Sequence, residues 1–237
     1  LYNNRNIRRK MTGDVVLAFN EFVKKLPKEK ADRCLLLLHT QPVDENGTDI
    51  PKLISDLTPD IQHLFSSNRL LPQQMNYLYN ISDVTINLSS NEGFGLATME
   101  SIMAGTMILA NVTGGLQDQM GFKDNLGALL HEDLHYNEKW GSNHDGKYKT
   151  HGEWAIPVFP NNLALQGSPP TPYIFDDRCD WREVADKLLE LYNIPKEERV
   201  RRGLAGREYA LSNNFEATDM CNKFITGIDT VFENWTP

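Results

Sequence analysis

Three short apolar runs constrain this chain most. CLLLLHT (34–40), DVTINLS (83–89) and TMILAN (106–111) have almost no polar alternation. A strand with water on one face alternates polar and apolar residues, whereas these runs suit strands covered on both faces, as in a parallel sheet between helical layers. Helical stretches separate them. TGDVVLAFNEFVKKLP (12–27) puts Val15, Phe19, Phe22, Val23 and Leu26 on one stripe, with Thr12 as a cap and Pro27 as a stop. DIPKLISDL (49–57), QQMNYLYNIS (73–82) and ATMESIMAG (97–105) read as further helices, the last closed by Gly105. A β-α-β-α alternation predicts an α/β fold with a doubly wound, Rossmann-like parallel sheet.

The segment from Lys123 to Asp177 breaks this rhythm. It is rich in Asn, Gly, His, Pro and aromatics, and reads as an irregular insertion folded against the domain, with Trp140, Trp154, Phe159 and Tyr173 to bury. The last third, about 181–235, is helical. Asp180 with Glu183 forms the pattern of a capping box, Pro195 opens a second helix, and FEATDMCNKFITGIDTVFENW is amphipathic. With no flexible linker in view, 1–237 reads as one domain. The opening LYNN resembles the end of a strand already under way, so a fragment of a longer protein is expected.

Charge narrows the function. The net charge is −8, which argues against a broad nucleic-acid face or a polybasic membrane patch. One local basic cluster stands out: Arg5, Arg8, Arg9 and Lys10. Cys34, Cys179 and Cys221 are odd in number and form no CxxC pair, which favours a reducing compartment; a cytoplasmic location is expected. No apolar run approaches the roughly 20 residues of a membrane span.

The chemistry concentrates in SSNEGFGLATMESIMAGTMILANVTGG (89–115). Open parallel sheets bind ligands at the carboxyl ends of their strands, and the loop from Ser89 to Gly95 follows such a strand. Gly93 and Gly95 let a ligand approach the backbone. The helix beginning near Leu96 aims free N–H groups and its positive dipole end at the same place, which suits a diphosphate. Glu92 at the lip and Glu100 one turn into the helix are fitted to hold vicinal hydroxyls of a sugar or ribose. Arg5 and Lys10 flank the first strand-to-helix turn and supply cations for phosphate oxygens.

From NRLLPQQ through TGGLQD (68–118) the sequence resembles the nucleotide-sugar domain of retaining GT-B glycosyltransferases of the group 1, family four type. The resemblance rests on Glu92, Gly-Phe-Gly and Glu100 after seven intervening residues, on Arg5 and Lys10 five positions apart, and on the turn Gly114-Gly115. It departs at Ser101, at Thr106-Met107 and at HTQP (39–42), which bear on base and sugar identity. It implies that Glu100 holds the donor ribose and that Glu92, with the amides of Gly93, Phe94 and Gly95, holds the transferred sugar. Arg5 and Lys10 would bind the diphosphate, and backbone near Arg69, Leu70 and Leu71 would meet the base. It further implies a nucleoside diphosphate sugar as donor substrate, no cofactor, no metal, and an acceptor glycan, lipid or protein hydroxyl brought by an N-terminal domain outside this chain. On that reading the isolated chain transfers little or nothing.

Plainer readings compete. Glu92 and Glu100 suit any first helical turn. The basic cluster can be a solvated charge run, above all Arg8 and Arg9, and Gly114-Gly115 can be an ordinary turn. His39 is more simply structural, and His131, His135, His144 and His151 lack metal-site spacing. No P-loop or serine-nucleophile elbow is present. Two alternatives to the transferase remain: a non-catalytic nucleotide-sugar-binding module, and a nucleotide-sugar epimerase of similar fold.

Overall fold

A computed structural model describes residues 1–123, 126, 127, 129 and 150–235. Strands β1 (Tyr2–Asn3), β2 (Leu36–His39) and β3 (His63–Phe65) pair in parallel, as do β4 (Val84–Asn87), β5 (Met107–Asn111) and β6 (Ala155–Val158). Two hydrogen bonds join the halves: the Leu1 nitrogen donates to the Val84 carbonyl, and the Ile86 amide donates to the Leu1 carbonyl, both at 2.8 Å. The order is therefore β3-β2-β1-β4-β5-β6. This is the doubly wound arrangement, with its topological switch between β1 and β4.

The helices are α1 (Thr12–Lys24), α2 (Lys28–Ala31), α3 (Ile50–Leu57), α4 (Pro72–Asn80), α5 (Leu96–Met103), α6 (Trp181–Tyr192), α7 (Lys196–Ser212) and α8 (Ala217–Asn234). They cover both faces of the sheet, and β5 shows it residue by residue. Met107 and Leu109 pack with Val15, Phe19 and Phe22 of α1 and Leu188 of α6, while Ile108 and Ala110 pack with Ile102 of α5 and Ala210 of α7. Successive side chains of a strand point to opposite faces, so a five-residue run buried throughout needs a helical layer on each side.

Several expectations need correction. Residues 155–158 belong to the sheet rather than to an irregular insertion, and Asn162–Ser168 (β7) with Thr171–Arg178 (β8) form an antiparallel hairpin. Trp154 is buried, its ring 4.6 Å from that of Tyr209 and its Nε1 donating to the Gln119 carbonyl, but Tyr173 is exposed. Trp140, His131, His135 and His144 lie outside the described residues. Thr12 does not cap α1; Met11 stands at that position, and the Thr12 hydroxyl pairs with Tyr2 Oη. Asp180 caps α6 through the Arg182 amide, without the box. The amphipathic α8 is formed, but none of its residues is buried. Among the described residues no helix is long and apolar enough to cross a membrane.

Candidate functional site

At the switch, the segments leaving β1 and β4 are laced together. The Ser90 amide donates to the Arg9 carbonyl at 2.8 Å, and Arg9 Nη1 donates to the Asn91 carbonyl at 2.8 Å. Residues Arg8–Lys10 form a 3-10 turn, and Met11 follows with φ of 52°. A left-handed conformation is uncommon for a side chain of this kind and costs of order 1 kcal/mol; here it separates the turn from α1.

Glu92, 7% exposed, is the centre of the constellation. Its Oε1 accepts from Lys10 Nζ and, at 3.2 Å, from the Ser89 hydroxyl; its Oε2 accepts from Arg9 Nη1 at 3.1 Å. Burial would raise the carboxyl's pKa, but Lys10 and Arg9 outweigh it and hold the group below its ordinary value. Burial draws the Lys10 ammonium down, against the pull of Glu92 and with a further push from Arg9. The difference is one of partners: Glu92 has two cations, whereas Lys10 has one carboxylate and a like charge beside it.

The glycine loop is held from below. The Gly115 amide donates to the Glu92 carbonyl at 2.9 Å, and a Cβ on Gly115 would stand 2.2 Å from the Gly93 carbonyl oxygen. Gly114-Gly115 is thus more than an ordinary turn: only chains without side chains pass this closely. Gly95, at φ of 89°, caps α5 and offers no side chain to its first amides. The carbonyls of Phe94 and Gly95 accept from Gln119 Nε2. The amides opening a helix have no partners within it, so this end of α5 keeps its positive character. Phe94 turns its ring toward Phe215, at 6.0 Å, and Leu96 is exposed.

Glu100 is exposed, and its Oε2 accepts from Tyr79 Oη at 2.7 Å, which in turn accepts from Asn3 Nδ2 at 2.6 Å. Asn3 is the last residue of β1, so this chain ties Glu100 to the same rim. Burial, then Glu100, raises the Tyr79 phenol, which stays a donor at neutral pH. Leu70 and Leu71 follow β3 at the same strand edge; Gln74 Oε1 accepts from the Leu71 amide.

Arg5 stands apart from Glu92. It is exposed and ion-paired through Nε with Asp44 at 3.0 Å, in the loop after β2. Arg9, read above as solvated, makes the contact with Glu92 instead, while Arg8 is exposed. His39 is structural: its Nδ1 lies 3.0 Å from the Ser66 hydroxyl, and burial lowers its pKa.

Sequence reasoning also missed Tyr79, Asn3 and the buried pair Asp176 and Asp177 near the end of β8. Asn111 Nδ2 donates to the carbonyls of Ser89 and Asp177, fastening the β4 loop to β8. Only the position of Arg9 beside Lys10 was visible beforehand; the rest depends on pairings across the fold. Among the described residues no three His, Cys, Asp or Glu side chains converge.

Residues 22–132 match the family model described as glycosyl transferases group 1. D-inositol 3-phosphate glycosyltransferase of Corynebacterium urealyticum is 29% identical over 184 residues, covering 68% of this chain and 36% of the relative. This chain therefore spans about a third of that protein's length. HepE of Anabaena, solved in complex with UDP and glucose, superposes with a TM-score of 0.60 at 11% identity, over 97% of this chain and 47% of its own. The C-terminal domain of LpcC, a glycosyl transferase group 1 family protein from Francisella tularensis, gives a TM-score of 0.55 at 16% identity, over 89% of this chain and 83% of its own. At such identities the structural likeness speaks for the fold. Over residues 22–132 the chain is thus similar in sequence to group 1 glycosyltransferases, and its Rossmann-like fold is that of the GT-B structures on which it superposes.

Proposed function

We propose that the domain binds a nucleoside diphosphate sugar at the switch between β1 and β4 and serves as the donor half of a retaining, metal-independent glycosyltransferase. The observation that carries this reading is the meeting of Lys10, Arg9 and Glu92 at the head of the glycine loop that leads into α5, whose first amides meet no capping side chain. Positive charge is concentrated where a diphosphate would lie, and a carboxylate stands where sugar hydroxyls would lie. Glu100, positioned by Tyr79, would take the ribose hydroxyls, and the backbone at Leu70 and Leu71 would meet the base. Arg5 would join the phosphate site by exchanging Asp44 for a phosphate oxygen.

The reaction is a front-face displacement. The bond from the anomeric carbon to the diphosphate oxygen breaks, and a bond to the acceptor oxygen forms on the same face. The acceptor's proton leaves with the diphosphate. Charge on the departing group is met by Lys10, Arg9, Arg5 and the amides of α5, the fixed positive groups that support a metal-free mechanism. The acceptor would be presented by a further domain, consistent with the partial span of the relative. Calorimetry with UDP, GDP and ADP tests the reading. One of the three should bind the isolated chain weakly. A folded sample that gives no heat with any of them refutes it.

A further inference from the structure

The hairpin β7–β8 walls a small cavity of about 160 Å3 beside this site, with Asn91, Thr113, Gly114, Leu163, Tyr173 and Asp177 among its lining. Its floor adjoins the site through Asn91, Thr113 and Gly114. Asn91 precedes Glu92, and Gly114 lies so close to Glu92 that an added Cβ would stand 2.2 Å from its carbonyl oxygen. Its wall follows from strand geometry: Tyr173, Phe175 and Asp177 lie on one face of β8, and Leu163 is the register partner of Asp177.

The wall is fixed in place. The Asp177 amide donates to the Ser90 carbonyl at 3.0 Å, its carbonyl accepts from Asn111 Nδ2 at 2.9 Å, and its Oδ2 accepts from the Thr113 hydroxyl at 2.8 Å. Asp177 is 4% exposed, so a carboxylate is built into the cavity's edge. Tyr173, by contrast, is 62% exposed at its mouth. The lining therefore joins an aromatic face and aliphatic side chains to a carboxylate, an amide and a hydroxyl. A pyranose needs that combination, since its ring faces are apolar and its rim carries hydroxyls. The cavity has about the volume of five water molecules at liquid packing, well below the roughly 300–1,000 Å3 of pockets for larger ligands.

We propose that this hairpin pocket receives the transferred sugar of the donor and selects among sugars. This rests on the donor-site reading above. Leu163 and Tyr173 are both more than half exposed, so Leu163→Trp, which fills the cavity, and Tyr173→Ala, which removes its aromatic lip, should fold. The measurement is calorimetry on the chain with UDP, GDP and ADP and with UDP-glucose, UDP-N-acetylglucosamine, GDP-mannose and ADP-glucose. The unaltered chain should bind at least one of these nucleotide sugars fivefold or more tighter than its own nucleoside diphosphate. Both variants should cut that advantage to within twofold while leaving the nucleoside diphosphate affinity unchanged. If the chain binds a nucleoside diphosphate but gains nothing from any of the sugars, or if both variants keep the gain, the pocket assignment is overturned and the donor site stands. If the folded chain binds no nucleotide at all, both fall together.

Discussion

Removing the Lys10 ammonium separates the cost of folding the site from its use. In Lys10→Met the methylenes are replaced at similar length, and the buried Glu92 carboxylate loses one of its two cations. Stripping a buried charge of its partner altogether costs roughly 3–5 kcal/mol. Here Arg9 remains at 3.1 Å and the Ser89 hydroxyl at 3.2 Å, so the loss should fall to about 2 kcal/mol. For a domain of this size that lowers Tm by about 4–8 °C. Glu92→Gln should cost a similar amount, because it leaves an ammonium that is 8% exposed facing a neutral amide.

The double variant decides the matter. With both charges gone, no uncompensated ion is buried, so its Tm should match that of either single variant rather than show the sum of the two losses. Thermal melts of the four proteins measure this coupling, expected at about 2 kcal/mol. Nucleoside diphosphate affinity should behave oppositely. A charge-assisted contact to phosphate contributes about 1.5–3 kcal/mol, so Lys10→Met should weaken binding roughly 10- to 100-fold, and the double variant should not recover it. Additive losses of Tm would show that Lys10 and Glu92 do not act as a pair. Recovery of affinity in the double variant would show that Lys10 works through Glu92 and does not meet the ligand.

Gly115→Ala should lower stability by about 1–3 kcal/mol and weaken nucleotide binding, because its Cβ would press within 2.2 Å of the Gly93 carbonyl oxygen; a variant unchanged in melt and titration would show that the loop shifts freely. The stability that Glu92 contributes depends on pH with a definite sign. Its folded-state value lies below the ordinary 4.5, so the contribution is present above 4.5 and disappears as pH falls through the depressed value. The Tm gap between the unaltered chain and Glu92→Gln should accordingly be steady at pH 6–7 and close under acid, which a pH series of melts reads directly. Arg5→Ala should change stability by less than about 1 kcal/mol, since its pair with Asp44 is exposed, yet weaken nucleotide binding; Arg9→Ala should affect both, and equal melts for the two would contradict the placement of Arg9 on Glu92.

What was legible in the sequence was local. The runs 34–40, 83–89 and 106–111 announced doubly covered strands because burial on both faces removes alternation, and β2, β4 and β5 lie within them. The spacing of Glu92, Gly-Phe-Gly and Glu100 marked the loop and helix tip because those features lie within nine consecutive residues. What escaped was decided across the fold. The strand β6 is four residues, AIPV, with a proline inside and no polar residue to alternate, and it is a strand because β5 offers it a parallel edge. The choice between Arg5 and Arg9 turns on partners far along the chain, Asp44 for Arg5 and Asn91 with Glu92 for Arg9. Lys10 and Glu92 are separated by 82 positions, and nothing at either end specifies the other. The hairpin pocket follows the same logic: Asp177 acquires a role because Asn111 and Ser90, distant in sequence, hold it against the Glu92 loop. Residues that touch the proposed ligand can therefore be read from a motif, whereas residues that select it come from a segment whose composition looks like loop. Changing donor preference should accordingly require changes in 162–178 rather than in 92–100, and exchanging that hairpin while keeping both glutamates is the direct way to see whether nucleotide affinity and sugar preference are separable.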